Sequence, residues 1–488
     1  MLVRQLHDPI LAQYAYLVGC PRSGEAIVID PERDIDRYFE EAARHNLRIV
    51  AAADTHIHAD YLSGLREMAE RGVAVYASKE GGPDWQYEWL AGSNLPHRLL
   101  GDDDQFTVGF IEFKAVHTPG HTPEHLSYLV RDAGGGASDF IAIASGDFVF
   151  VGDVGRPDLL ESAAGVQGVM VPSAKQQYAS IRDHFRTLPE FMQVWPGHGA
   201  GSACGKSLGD IPVSTVGYEL RTNHSVQFAT DETAFVDFIL SGQPEPPLYF
   251  ARMKRDNRRG PALLGALPAP PRLRVLDIVN TSANAVAPDA QALVLDTRPR
   301  DQFNAAHLPG SQLADLDFQF CSVSGSLVAE GTPLVLVVDD ARLDDAVRAL
   351  VRVGLDRVVG YVTPADLAAY GDGGGTLAST PRIDMAQMEA MRLGGGVCLL
   401  DVRGLAEFET RHVDDALHIA HTRVLDQLGR IPTDVPVLVH CGTGRRASPV
   451  VALLARHGIQ ATLVDDAFVN YRPTPAADAK PARAANRR

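Results

Sequence analysis

An internal duplication in the C-terminal half constrains the fold more than any other feature. Asp296-Thr297-Arg298, Phe303 and His307 recur as Asp401-Val402-Arg403, Phe408 and His412, with an offset of 105 residues throughout. Farther along, Pro333-Leu334-Val335 answers Pro436-Val437-Leu438, and Leu350…Gly354 answers Leu454…Gly458, at offsets of 103 and 104. A register kept this closely means that the chain builds one kind of unit twice. Each copy alternates short apolar runs with helical stretches, the pattern of a parallel α/β sheet. Residues 272–375 and 384–474 are read as the two copies, and the glycine-rich run 371–375 marks the boundary.

The copies differ where chemistry would occur. In the second, the apolar run Val437-Leu438-Val439 leads to Cys441-Gly442-Thr443-Gly444-Arg445-Arg446, and an amphipathic stretch follows from Ala447. A cysteine between a strand and a helix has its sulfur at the positive end of the helix, with Arg445 and Arg446 close by. That setting favours an anion at sulfur, and such a thiolate can accept a transferred group. In the first copy, Leu334–Val338 runs into Asp339-Asp340-Ala341-Arg342, without cysteine and with two acids where an anion would sit.

The 441–446 loop, with Leu400-Asp401-Val402-Arg403, Glu407-Phe408 and His412-Val413 upstream, resembles the rhodanese-type sulfurtransferases over residues 384–474. The resemblance implies that Cys441 carries sulfane sulfur as a persulfide, cradled by the amides of Gly442, Thr443 and Gly444 and assisted by Arg445 and Arg446. Residues 272–375 then read as a rhodanese-like domain without transferase activity, serving as a spacer or docking surface.

A Pro-rich, Arg-rich stretch, 255–271, is read as a linker, and the Ala/Pro/Arg tail 475–488 as disordered. Residues 1–254 form a strand-rich domain. Runs at Tyr14–Val18, Ala26–Ile29, Leu47–Ala53, Val73–Ala77, Ile111–Val116, Leu126–Val130 and Phe140–Ala144 read as strands, and Ile35–Ala43 as a helix.

In this region four turns after apolar runs carry imidazoles or carboxylates: Thr55-His56-Ile57-His58-Ala59-Asp60, Pro119-Gly120-His121, Ser145-Gly146-Asp147 and Pro196-Gly197-His198. Such groups converging from distant sequence suit a divalent metal. Together they resemble the metallo-β-lactamase fold. The chain is thus expected to be an α/β multidomain protein, with a metallo-β-lactamase αββα sandwich followed by two rhodanese-like α/β domains with parallel sheets.

Hydrolases of that superfamily carry His-x-His-x-Asp-His, and the last His helps hold a second metal. Here Tyr61 takes its place, and a phenol with a pKa near ~10 is a poor ligand for divalent zinc. His56, His121 and Asp147 remain, a two-His-one-carboxylate set suited to Fe(II) with open positions. The segment Gly146-Asp147…Gly155-Arg156-Pro157-Asp158 is similar to the persulfide dioxygenase family. That resemblance implies one Fe(II) per chain on His56, His121 and Asp147. His58, Asp60 and His198 become supporting groups or remnants of a second site, and Arg156 a supporting or anion-orienting group. Residues 199–206 look like the rhodanese-fused branch, and Cys204 is a candidate sulfur relay at the pocket mouth.

The implied reaction oxidises a low-molecular-weight persulfide with O₂ to sulfite and a thiol, coupled to rhodanese formation or use of thiosulfate, in sulfide detoxification. Two alternatives are a zinc thioesterase of the glyoxalase II type and a sulfur-relay protein with a docking domain. A net charge of −16 argues against nucleic-acid and anionic-membrane partners. Five scattered cysteines without a CxxC, no signal-peptide pattern and no span-length apolar run lead to a cytoplasmic expectation. Homo-oligomerisation is the expectation from the fold family.

Overall fold

The computed structural model describes residues 1–162, 168–284 and 292–473. The expected disordered tail 475–488, and residues 285–291 of the first copy, lie outside them. Two compact units result: residues 1–267 with Arg348–Gly354, and residues 268–347 with 355–488.

The first unit has two six-stranded sheets. One is ordered along the chain: β1 (Leu2–Asp8), β2 (Gln13–Cys20), β3 (Glu25–Ile29), β4 (Arg48–Ala53), β5 (Ala74–Ser78) and β6 (His97–Leu100). The other holds β7 (Gln105–Val108), β8 (Ile111–His117), β9 (Leu126–Asp132), β10 (Ala142–Gly146), β11 (Gln193–Pro196) and β12 (Ser214–Thr215), again in sequence order. The period of two along a strand sorts side chains between layers. From β2, Tyr14, Tyr16 and Val18 join Phe113, Tyr128 and Trp195 between the sheets. Ala15 and Leu17 face the other way, into a core with Tyr38, Ala42, Leu65 and Met68 from helices Asp36–Arg44 and Leu65–Glu70. Helices Met170–Asp183 and Glu232–Leu240 cover the second sheet in the same manner. This is an αββα sandwich. Its less apolar strands β1, β6, β7, β11 and β12 were not expected from the sequence, and the Phe140–Ala144 run pairs two residues later, at Ala142–Gly146.

The linker reading of 255–271 needs correction at its start. Residues 255–259 complete a helix, Phe250–Arg259. Phe250, Met253, Lys254 and Asn257 are its buried face, at helical spacing within a charge-dense run.

The second unit holds the duplication as two parallel sheets of matching order. The first is β14 (Gln312–Leu313), β13 (Leu293–Asp296), β15 (Leu334–Val337) and β16 (Val358–Val362). The second is β19 (Leu417–His418), β18 (Cys398–Asp401), β20 (Val437–His440) and β21 (Ala461–Val464), with β17 (Arg382–Ile383) added at its edge. The repeated residues have structural tasks. Arg298 and Arg403 each form a two-pronged ion pair with the buried Asp296 and Asp401. His307 stacks on Phe303 and His412 on Phe408, both with ring centroids 4.0 Å apart. Phe303 and Leu313 of the first copy share a small core with Ala452 of the second. Strand pairing also fixes the correspondence. Asp296 pairs with Val337 as Asp401 pairs with His440, so buried Val338, rather than Asp339, stands where Cys441 does.

Candidate metal centre and sulfur-transfer loop

All four expected ligand turns leave the same edge of the sandwich, after β4, between β8 and β9, and after β10 and β11. They bring one ligand atom each of His56, His121 and Asp147 within 4.8 Å of one another, all buried. His121 Nε2 is 3.4 Å and His56 Nε2 3.8 Å from Asp147 Oδ2.

Their orientation follows from a hydrogen-bond chain. Asp30, held at a left-handed φ of 53° just after β3, accepts from the Thr55 amide (2.7 Å) and hydroxyl (3.0 Å). With its proton given to Asp30, the Thr55 oxygen is left to accept from His56 Nδ1 at 2.9 Å. His56 Nε2 therefore carries a lone pair. His121 Nδ1 likewise donates to the Arg156 carbonyl at 3.1 Å. Burial first, and neighbouring positive charge second, holds both imidazoles well below the usual histidine range, so both are neutral. The Asp147 amide donates to His125 Nε2, and Gly155 packs so closely that a Cβ there would strike the Asp147 carbonyl oxygen. Neither Asp147 carboxylate oxygen, nor His56 Nε2, has a hydrogen-bond partner among the described residues. Orphaned buried acceptors facing one another are the donor set that a divalent cation requires. Replacing Thr55 by Val should therefore reduce metal affinity by about 10–100-fold with the sandwich intact, as measured by chelator competition.

The His58 ring packs against that of His56, centroids 4.2 Å apart, but its nitrogen is engaged elsewhere. Its Nε2 faces Asp30 Oδ1 (3.2 Å) and the Tyr61 hydroxyl (3.0 Å). Burial opposes its charge, but the Asp30 bond and the charges of Asp30, Asp54 and Asp60 raise its pKa to about 9. Tyr61 also accepts from Gln13 at 2.9 Å, so its oxygen is occupied with hydrogen bonds. Asp60, His198 and Cys204 form a second buried group, with ligand atoms within 4.8 Å. His198 Nε2 lies 3.2 Å from Asp60 and 3.5 Å from Asp147. Cys204 is 1 % exposed, so it is inside the site rather than at a mouth. Burial, then Asp60 and Asp147, raises its pKa well above the ordinary thiol value. Arg156 is already paired with an acid of its own chain. Its guanidinium is spent on Asp158 (2.7 Å) and the Ala203 and Pro244 carbonyls, which braces the chain beside Cys204 and His121. Asp30, and the part Thr55 plays in orienting His56, went unrecognised in the sequence; only the loop geometry reveals them.

In the second unit, Cys441 follows β20, is 1 % exposed, and precedes helix Ala447–Arg456. Gly444 adopts a left-handed φ of 80°, and a Cβ there would meet Asp465 and Arg300. Arg446 grips Glu407 through two bonds of 2.5 and 2.8 Å. Burial opposes its charge, but Glu407 and the Cys441 sulfur raise its pKa further. Arg445 pairs with Asp317 and lies over the Phe318 ring at 4.7 Å. The cysteine-less copy thus supplies Arg300, Asp317 and Phe318 to the surroundings of the loop. In that copy, a cavity of about 590 Å³ lies beside Val338 and Asp339.

Comparison with known proteins matches the two regions that carry these residues. A metallo-beta-lactamase superfamily model matches residues 9–198, and a rhodanese-like domain model matches residues 384–473. The crystal structure of a metallo-beta-lactamase from Staphylococcus aureus subsp. aureus COL is 36% identical, with a TM-score of 0.65, covering 75% of this chain and 99% of that one. A probable metallo-hydrolase, YqgX of Bacillus subtilis, is 28% identical over 210 residues, 39% of this chain and 86% of its own length. The mitochondrial persulfide dioxygenase ETHE1 of Bos taurus is 26% identical over 236 residues, 48% of this chain and 78% of its own. Among the described residues no helix is long and apolar enough to cross a membrane. From the paired imidazoles and carboxylate on their sandwich edge, the thiol loop on its parallel sheet and these likenesses, the chain belongs to the metallo-β-lactamase superfamily and carries a rhodanese-like domain at residues 384–473.

Proposed function

We propose that this chain acts in sulfur metabolism as a non-haem iron persulfide dioxygenase coupled to rhodanese sulfur transfer. The observation that carries the reading is the buried His56–His121–Asp147 group with its unpartnered acceptors. The likeness to persulfide dioxygenases and the rhodanese-like domain support it. His56, His121 and Asp147 would hold Fe(II), which would supply redox chemistry toward O₂ that zinc lacks. Thr55 and the Arg156 carbonyl keep both imidazoles in the tautomer that offers Nε2. Burial of the group limits water. The overall change is RSS⁻ + O₂ + H₂O → RSH + SO₃²⁻ + H⁺, in which the outer sulfur loses the four electrons that O₂ gains.

In the second half-reaction, Cys441 attacks the outer sulfur of a donor persulfide. The donor S–S bond breaks, the donor thiolate leaves, and Cys441 becomes a persulfide. Sulfite then attacks that outer sulfur, forming thiosulfate and restoring the Cys441 thiolate. Arg446, tied to Glu407, keeps positive charge beside the sulfur. Cys204 is proposed as a relay only for sulfur that reaches the buried site.

Metal content and O₂ uptake on a panel of persulfides test this reading. One iron per chain with sulfite formed mole for mole with O₂ consumed is expected. Two zinc ions per chain with thioester hydrolysis and no O₂ uptake would overturn it. That second outcome is the dinuclear hydrolase reading, which the Asp60–His198–Cys204 group favours.

A further inference from the structure

Helix Phe250–Arg259 is fastened to the candidate metal loop. Asn257 Nδ2 donates to the carbonyls of His58 (2.8 Å) and Tyr61 (2.7 Å), and its Oδ1 accepts from the Ser63 amide (2.9 Å). Lys254 lies one turn earlier on the same buried face. It is 6 % exposed, and among the described residues Nζ has no hydrogen-bond acceptor. Its charge acts on His56, His121 and Glu124, so it stands near the metal group without joining it. Glu124, the acid that acts most strongly on Lys254, also has an unpartnered oxygen, Oε2, and forms no ion pair with it. The Trp85 ring lies over Nζ at 4.9 Å.

A buried ammonium with three donors and no acceptor is costly unless something anionic completes it. Lys254 forms part of the wall of a cavity of about 320 Å³, with Ile57 from between His56 and His58, Trp85, Asp84, Arg255 and Arg258. Arg255 is paired with Asp256 (2.7 Å) and Arg258 with Glu88 (3.1 Å). With both arginines paired to acids, Lys254 is left as the cation of this wall that has no hydrogen-bonded acid among the described residues.

We propose that Lys254 is a specificity-determining residue that binds the oxyanion, carboxylate or phosphate, at the far end of the thiol that carries the persulfide. The proposal rests on the dioxygenase reading for the identity of its ligand as a carrier thiol. The ammonium fixes the anionic end in the cavity, Trp85 covers it, and the sulfur end is left to extend past Ile57 toward His56.

The test is equilibrium binding to the full-length protein, read by calorimetry and by tryptophan fluorescence, with glutathione, coenzyme A and 2-mercaptoethanol as probes. Wild type should bind glutathione or coenzyme A, and whichever binds identifies carboxylate or phosphate as the ligand. Lys254→Met should weaken that binding at least tenfold and leave 2-mercaptoethanol unchanged, while Lys254→Arg should restore part of it. In turnover with the matching persulfides, Lys254→Met should raise KM for the anionic carrier with kcat nearly constant. If wild type shows no preference for anionic over neutral thiols, the proposal is overturned whether or not the variants fold. A Lys254→Met protein that binds all three probes as wild type does would also overturn it. These thiols do not turn over, so the two readings fail separately. Anion-selective binding without O₂ uptake would remove only the oxidation chemistry, and O₂ uptake without anion selectivity would remove only the subsite.

Discussion

His121→Ala is expected to abolish persulfide-dependent O₂ uptake while leaving sulfur transfer at Cys441 intact. Losing one of three candidate ligands should cost more metal affinity than the about 10–100-fold typical for losing a supporting partner. The protein should survive the change. Among the described residues the ring donates one hydrogen bond, to the Arg156 carbonyl, and stranding that acceptor costs about 1–3 kcal/mol. The Arg156 side chain stays anchored by Asp158 and two other carbonyls. Bound iron, O₂ consumption and near-ultraviolet circular dichroism should be recorded on the same preparation. Undiminished O₂ uptake by a folded variant depleted of iron would eliminate the ligand assignment.

Cys441→Ser should give the opposite separation. Sulfur transfer should fall on the order of 10³-fold or more, because a hydroxyl is neither a comparable nucleophile nor able to hold sulfane sulfur. O₂ uptake should persist, since Cys441 and His121 belong to different compact units with separate cores. The substitution nearly preserves volume at a buried position, so a folding defect is not the expected cause. Thiosulfate formation from sulfite and a persulfide, followed beside O₂ consumption, distinguishes the cases. A parallel loss of both activities would show that oxidation depends on the transferase thiol.

Much of this architecture was legible because the repeated residues are those that packing cannot vary. Asp296 and Asp401 are buried against their arginines, and the Phe–His stacks need fixed spacing, so both survive as sequence signals. The four metal turns were legible for a similar reason: each bears distinctive side chains immediately after a strand. What escaped was whatever depends on orientation. Nothing in the sequence says that His58 faces Asp30, or that the Arg156 side chain is consumed by carbonyls. Strand register placed Val338, not Asp339, at the position equivalent to Cys441, because apolar residues continue one place beyond the ladder. Lys254 was hidden by charge density. It closes the stretch read as domain, and residues 255–259 beside it read as linker until the spacing of Phe250, Met253, Lys254 and Asn257 is recognised as one helical face.

The cysteine-less copy also bears on how such a chain can change over time. Gln312 donates to the Pro449 carbonyl, Asn304 to Ser448, and Arg300 to Asp465. Phe303 and Leu313 complete a hydrophobic contact with Ala452. Excision of the cysteine-less repeat would strip these partners from its twin and bare an oily patch beside the thiol loop. The cysteine-less repeat thereby acts as a buttress for its twin, and deletions within it should be felt at a loop it does not itself contain.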